Sequence, residues 1–163
     1  MVITFATEFL KNHPKSGSKT LFVPKLWKAW KEMGIEINDY GHPSLDEESE
    51  YLKDEYDDIH PKWHTIRKGA RWRQGAHFDP RIWTDGFMSK QVPLTLEPVK
   101  VVKELPITID NKEVHISDQL VSHANLVYLA RNDGFDNIED FFAWFNTGRF
   151  RGQIIFWKYI NYV

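Results

Sequence analysis

The sequence predicts an α+β fold with a small curled or closed sheet, and three observations support this prediction. Most segments with strand-like patterns lie in the second half of the 163-residue chain. Helical patterns are inserted among these segments and do not alternate with them regularly. An apolar content of 42%, with no internal repeat and no long linker, predicts a single domain over residues 1–163.

The first part of the chain predicts a strand, a loop and a helix. "VITFATEF" has the β-branched and aromatic residues of a strand, and "NHPKSGSK" after it is rich in loop-forming residues. "PKLWKAWKEMG" predicts a helix that begins near Pro24 and ends at Gly34. One face of this helix carries Leu26, Trp27, Trp30 and Met33.

An acidic helix is predicted next. Ser44 and Glu47 in "SLDE" form a capping-box pattern, and the helix is expected to end near Tyr56. "LDEESEYLKDEYDDIH" holds eight acidic residues against one Lys.

The segment that follows reverses this charge and changes to a β pattern. "KWHTIRKGARWRQG" holds five Lys or Arg residues and two Trp residues, with no acidic residue. In a strand after Pro61, Trp63, Thr65 and Arg67 share one face. His64 lies on the other face, and a basic loop follows between two glycines.

The second half of the chain predicts strands around two helices. "ITIDNKEVHI" predicts a hairpin that turns near Asn111, although the turn lacks the usual Gly. "HANLVYLARNDG" predicts a helix ended by Gly134, and "DNIEDFFAWFN" predicts another capped by Asp136 or Asn137. "QIIFWKYINY" predicts a final strand.

Composition excludes several classes of protein. A net charge of −2 argues against a chain that coats nucleic acid over its whole surface, so any polyanion site must be a local patch. Without Cys there is neither a disulfide nor a thiolate metal site. His60 and His64 are four residues apart, but this spacing serves zinc only on a helix, and Pro61 indicates a loop and strand here, so neither a metal nor a cofactor is expected. No apolar run approaches the length of a membrane span, and no signal peptide is seen, so a cytoplasmic protein is expected.

Three motifs in order resemble the ASCH domain family, a branch of the PUA-like β-barrels. They are "KWHTIRKGARWRQG", "LARNDGFDNIEDFFAWFN" and "FRGQIIFWK", and the likeness covers residues 60–160. It is greatest to small members common in phages and prophages, which implies a bacterial host cell. The resemblance implies a barrel of five to six mostly antiparallel strands with flanking helices. Residues 38–58 look like an acidic helical insertion about which the resemblance says nothing.

The resemblance also implies a cleft that binds RNA or a modified nucleoside. Some small bacterial members remove the acetyl group from N4-acetylcytidine with a Lys-x-x-Thr-x-Arg motif and a Glu. Lys62, Thr65 and Arg67 have this spacing, and Asp133 stands at the position of the Glu, shorter by one methylene. Lys62, Thr65 and Asp133 are therefore the candidate catalytic residues.

Amide hydrolysis needs a nucleophile, a group that activates it, and donors for the developing oxyanion. Thr65 could attack or hold the attacking water, and Lys62 could act as a base if burial beside Arg67 lowers its pKa. Asp133 would pass a proton to the leaving amine. Because Lys62 and Thr65 are three residues apart, Lys62 must lie in the entering loop or at a bulge to share a face with Thr65. In the alternative, Thr65 is an ordinary strand residue and Arg67 pairs with Asp133 only structurally.

Seven residues are predicted to contact the ligand, because basic side chains pair with phosphates and aromatic ones stack on bases. They are Trp63, His64, Arg67, Lys68, Arg71, Trp72 and Arg73. In the alternative, Trp72 fills the base of the barrel and the arginines pair with the acidic helix.

Three functions follow for this chain. The first is binding of RNA or a modified nucleoside, and the second is metal-free hydrolysis of an N4-acylated cytidine. The third is an adaptor that binds a host protein through the acidic insertion.

Overall fold

The computed structural model describes residues 1–54, 58–84, 90–146 and 148–163, without the side chains of 52–54. Within these residues the chain forms nine strands and four helices. In order they are β1 (Val2–Phe5), α1 (Phe22–Glu32), α2 (Pro43–Asp54), β2 (His64–Lys68), β3 (His77–Thr84), β4 (Lys90–Pro93), β5 (Val99–Lys100), β6 (Lys103–Asp110), β7 (Glu113–Ile116), β8 (Gln119–Leu120), α3 (His123–Asn132), α4 (Ile138–Trp144) and β9 (Phe150–Phe156).

The α+β class is confirmed, but the single barrel is wrong. The described strands form two sheets, one of order β1-β3-β4 with β5 also paired to β3, and one of order β2-β9-β6-β7-β8. Among the described pairings, β1–β3 alone is parallel. The chain changes sheets at Val101 and Val102, since β5 pairs with β3 whereas β6 pairs with β9. No described ladder joins the two sheets into a closed ring.

Strand β9 lies between β2 and β6 in the larger sheet and is apolar on both faces. Ile155 packs in one apolar cluster with α1 and the smaller sheet, through Trp27 and Phe78. Ile154 and Phe156 point the other way, into a second cluster with α3 and α4. A strand covered on both faces needs a continuous apolar run, which explains the sequence "IIFW".

Most predicted elements form, with some shifted boundaries. The hairpin turns at Asn111 and Lys112, whose φ angles of 47° and 63° give a two-residue turn of the primed type that fits strand twist without Gly. Asn137 caps α4 by accepting from the Asp140 N–H, and Gly134 follows α3 with φ 98°. The last strand begins at Phe150, three residues earlier than predicted, and ends at Phe156.

The helices of the first half differ more from the prediction. Helix α1 begins at Phe22, so Pro24 is its third residue. The Ser44 cap is wrong, because α2 begins at Pro43 and the Ser44 N–H donates to His42 Nδ1 at 3.2 Å. The predicted end near Tyr56 lies outside the described residues. Leu45 of α2 is fully buried beside α1, so the acidic helix packs on the core. None of the described helices has the length and apolar character needed to cross a bilayer.

Candidate functional site

A buried ion pair joins the segment before β2 to the end of α3. Lys62 Nζ lies 2.7 Å from Asp133 Oδ1 and also donates to the Asp133 backbone carbonyl. Both side chains are at most 5% exposed. Lys62, and not Arg67, is therefore the ion-pair partner of Asp133 in the described residues, so this pair replaces the predicted structural pair of Arg67 with Asp133.

The backbone explains how Lys62 reaches this position. Lys62 precedes β2, and its N–H donates to the Lys25 carbonyl of α1 at 3.0 Å. The next N–H, of Trp63, donates to the Asn132 carbonyl of α3 at 2.8 Å. Lys62 thus lies in the entering loop, which is the position that a shared site with Thr65 requires.

Burial and pairing shift the charges of both groups. Burial lowers the pKa of Lys62 to about 8, although Asp133 opposes this change by favouring the ammonium form. Burial disfavours the Asp133 carboxylate, but Lys62 and His64 outweigh it, so the pKa of Asp133 is lowered. The pair is therefore ionic at neutral pH, and the Lys62 ammonium loses its proton as the pH rises through about 8.

His64, the first residue of β2, is a second group that lies close to the Asp133 carboxylate. Its Nε2 lies 2.9 Å from the Tyr162 hydroxyl, which also accepts from Asn132 Nδ2 at 2.8 Å. Its Nδ1 lies 3.6 Å from Asp133 Oδ1. Burial lowers the pKa of His64, which favours the neutral imidazole, and its Nδ1 has no hydrogen-bond partner within the described residues. His64 is thus placed to orient Asp133 and has no exposed surface for a ligand.

A cavity of about 270 Å³ brings Lys62, Thr65, Arg67 and Asp133 together. Nine further residues line it, and five of them are aromatic: Thr4, Phe5, Ala6, Leu10, Phe22, Ile66, Trp83, Phe135 and Trp144. Cationic, hydroxyl and carboxylate groups therefore converge in a small space with aromatic walls, which is typical of a ligand site.

Arg67 faces this cavity with part of its guanidinium unsatisfied. Its Nη2 donates to the Thr4 carbonyl at 2.7 Å, and its Cζ lies 5.1 Å from the centre of the Phe5 ring. Its Nε has no hydrogen-bond partner in the described part of the chain. Burial lowers its pKa to about 10, so the group stays charged at neutral pH. An N–H donor is thus available for an acceptor atom of a ligand.

The other predicted ligand residues do not reach the cavity. Trp72 is 1% exposed, and its backbone N–H and carbonyl bond the Gln153 side chain at 2.9 and 3.2 Å. It is a core residue, as the alternative interpretation states. Trp63 is also buried, and Lys158 Nζ lies 3.8 Å from the centre of its ring.

The basic loop lies on the surface after β2. Lys68, Arg71 and Arg73 are exposed. Arg73 Nη1 donates to the carbonyls of Ala70 and Trp72, so it holds the loop together. In the described residues the acidic helix pairs instead with Lys19, which lies 3.0 Å from Glu47 and 3.4 Å from Glu48.

Sequence reasoning missed the aromatic walls. The helical spacing of Ile138, Phe141, Phe142 and Phe145 predicts one apolar stripe on α4. Trp144 lies outside this stripe, and this was the available signal that it serves another surface. Phe22 contacts Phe135 and Trp144 edge to face at 5.2 and 5.5 Å. These rings come from α1, the α3–α4 loop and α4, so no local motif could have joined them.

A larger cavity of about 640 Å³ lies between the hairpin turn and α4, lined by Asp110, Lys112, Glu139 and Phe142 among others. None of the predicted site residues lines it. No three His, Asp or Glu side chains within the described ranges are arranged to hold a metal ion. His60 instead lies 3.1 Å from Asp136.

Comparison with known proteins leaves the family open, since no family model, no curated protein and no solved structure matches this chain.

Proposed function

We propose that the protein binds a modified nucleoside, free or turned out of an RNA strand, in the cavity lined by Lys62, Thr65, Arg67 and Asp133. The observation that carries this proposal is the convergence of these four side chains on one small cavity with aromatic walls. The resemblance of residues 60–160 to the PUA-like ASCH domains supports the same class of ligand.

The chemistry of the cavity suits a substituted pyrimidine. Phe22, Phe135 and Trp144 offer apolar and stacking surface for a planar base. The free Nε of Arg67 and the Thr65 hydroxyl can bond a ring carbonyl or an acyl oxygen. A cavity of about 270 Å³ excludes an RNA helix, so an RNA ligand must present a single base.

Binding is tested by calorimetry with N4-acetylcytidine and with cytidine. Arg67→Gln should weaken binding by about 10- to 100-fold, because a charge-assisted hydrogen bond is lost. Arg149→Gln, at an exposed arginine outside the cavity, is the control and should bind as the wild type does. Equal affinity of both proteins for N4-acetylcytidine would place the ligand elsewhere.

A second function, hydrolysis of an N4-acyl group, is favoured by one observation. The Lys62 amine, with its pKa lowered to about 8, lines the same cavity as the Thr65 hydroxyl. In this reaction neutral Lys62 takes a proton from the attacking hydroxyl or water as it adds to the acyl carbon. Arg67 donates to the resulting oxyanion. The C–N bond then breaks as the Asp133 carboxylate relays that proton from Lys62 to the leaving amine. The new oxygen of the carboxylate product comes from the attacking water or, if Thr65 attacks, from a water that then hydrolyses the Thr65 ester.

Hydrolysis is tested by incubating N4-acetylcytidine with the protein without added metal and measuring cytidine and acetate. Turnover that is lost in Lys62→Met, while Arg149→Gln retains it, would establish the enzyme. Because the base must be neutral, kcat/KM should rise with pH and level off above the Lys62 pKa of about 8. Binding without turnover would leave the first function alone.

A further inference from the structure

A second cavity adjoins the first. It has a volume of about 420 Å³ and shares three wall residues with the first: Phe5, Ala6 and Trp83. Its remaining walls come from the first loop, α2 and the end of β3. The two cavities are therefore neighbours that share one part of their walls.

Glu48 of α2 is a buried carboxylate that lines this second cavity. It is 1% exposed, and its Oε1 accepts a long hydrogen bond of 3.4 Å from Lys19 Nζ. Its Oε2 is buried and has no hydrogen-bond partner among the described residues. A buried carboxylate oxygen without a partner is costly, and a ligand donor would satisfy it.

The two cavities carry opposite charge. Among the described lining residues, the first cavity has Lys62 and Arg67 against Asp133, whereas the second has Glu8, Glu47 and Glu48 against Lys19. Lys19, Glu47 and Glu8 are also the charged neighbours that act on Glu48. The second cavity therefore favours a positively charged group, and the first favours an oxygen acceptor.

We propose that Glu48 forms a second subsite that binds a protonated amine carried by the substituent of a nucleobase held in the first cavity. This inference rests on the proposed function and extends it to a ligand class, namely nucleosides whose exocyclic nitrogen bears an aminoalkyl or aminoacyl group. It also gives the acidic helix α2 a role in ligand recognition.

The protonation state of Glu48 makes the amine preference depend on pH. Burial raises the pKa of Glu48 to about 7, against the opposing effect of Lys19. The pKa of Lys19 is itself raised, so Lys19 stays cationic between pH 6 and pH 8. The carboxylate that attracts an amine is therefore mostly present at pH 8 and mostly absent at pH 6.

The test uses two probes that resist amide hydrolysis, N4-propylcytidine and N4-(2-aminoethyl)cytidine. They differ only in a terminal methyl that an ammonium replaces, so titration of Lys62 or Asp133 affects both probes alike. At pH 8 the wild type should bind the amine about 10- to 100-fold more tightly, because a charge-assisted hydrogen bond forms. At pH 6 this preference should fall by up to about tenfold.

Two variants make the test specific. Glu48→Gln should lose the preference and its pH dependence, whereas Asp46→Asn removes an exposed acid of the same helix and should keep both. The comparison of the wild type at pH 8 and pH 6 tests the role of the Glu48 carboxylate without any substitution. Binding of N4-acetylcytidine with no preference for the amine would overturn this inference alone. Failure of all three nucleosides to bind would overturn the proposed function and the inference with it.

Discussion

Lys62 and Asp133, 71 residues apart in the chain, form a buried ion pair in which Nζ lies 2.7 Å from Oδ1. The pair connects the segment before β2 to the end of α3, and both groups line the first cavity. Two charges out of water are costly, and each is tolerated because the other is present. The pair therefore acts as one unit, in stability as well as in function.

Removing one member of this pair should cost more than removing both. Lys62→Met or Asp133→Leu alone should lower the free energy of unfolding by about 3–5 kcal/mol, because each leaves an unpaired buried charge. The double variant should recover part of this loss. Urea unfolding of the four proteins measures the coupling. Lys31→Met, which breaks an exposed pair with Asp39, is the control and should cost at most about 1 kcal/mol. Strictly additive losses would show that Lys62 and Asp133 are not coupled.

Two glycines in equivalent places at helix ends should differ in their tolerance of Ala. Gly34 after α1 and Gly134 after α3 both have positive φ, at 73° and 98°. A Cβ at Gly34 meets nothing within 4 Å, whereas one at Gly134 lies 2.8 Å from Phe22 Cδ1 and 3.1 Å from Lys62 Cδ. Left-handed backbone strain should lower the free energy of unfolding of each Ala variant by about 1–2 kcal/mol. Overpacking should lower that of Gly134→Ala by about 1–3 kcal/mol more.

The same two variants should also differ in their affinity for the ligand. Gly134→Ala displaces Phe22 and Lys62, both walls of the first cavity, so its affinity for N4-acetylcytidine should fall. Gly34→Ala should bind normally at temperatures where it is folded. Thermal unfolding and calorimetry on the two variants check both expectations, and equal behaviour of the two would contradict the described contact.

Glu48 should make the protein less stable as the pH rises. Its pKa is about 7 in the folded protein against an ordinary 4.5, so the folded state holds more protons than the unfolded state between these values. The free energy of unfolding therefore falls through this window, by up to about 3 kcal/mol, and stays reduced above it. Glu48→Gln has no such group. Its stability relative to the wild type should rise from pH 4.5 to pH 7 and then level off.

The measurement is urea unfolding of both proteins at several pH values, with the difference taken at each pH so that other titrating groups cancel. Asp46→Asn should run parallel to the wild type. A pH-independent difference for Glu48→Gln would show that Glu48 is ionised like an exposed carboxylate. This experiment needs no ligand, so it examines the subsite separately from the proposed function.

The elements that local pattern determines were predictable from the sequence. The end of α1 just before Gly34, the cap of α4 at Asn137 and the hairpin turn at Asn111 depend on neighbouring residues and are confirmed. The arrangement of the sheets was not predictable. Val2 pairs with Asp79 in parallel and Lys103 pairs with Phe156, and no local signal specifies partners so far apart.

The candidate site was likewise predictable from the sequence only in part. The motif around Lys62, Thr65 and Arg67 was visible in the sequence, and the position of Asp133 was inferred from a resemblance. The burial of Glu48 was missed, although it lies three residues after the buried Leu45 and therefore on the same helical face. Trp72 lies in the core because its backbone is tied to Gln153 of β9, a contact that the basic sequence around it conceals.

The exposed basic loop should matter for RNA but not for a free nucleoside. Lys68 and Arg71 are exposed and outside the first cavity, so they can contact only phosphates that extend from a bound base. In single-stranded RNA each phosphate contact adds about 0.7 to the slope of log affinity against log salt. Lys68→Gln and Arg71→Gln should each reduce that slope by about this amount and weaken RNA binding at low salt. Neither should change the affinity for N4-acetylcytidine.

Lys31→Gln, at an exposed lysine near the end of α1, is the matched control, and fluorescence anisotropy between 50 and 200 mM salt measures the slopes. Unchanged slopes in both loop variants would show that the loop does not contact RNA, and the ligand of the cavity would then be a free nucleoside.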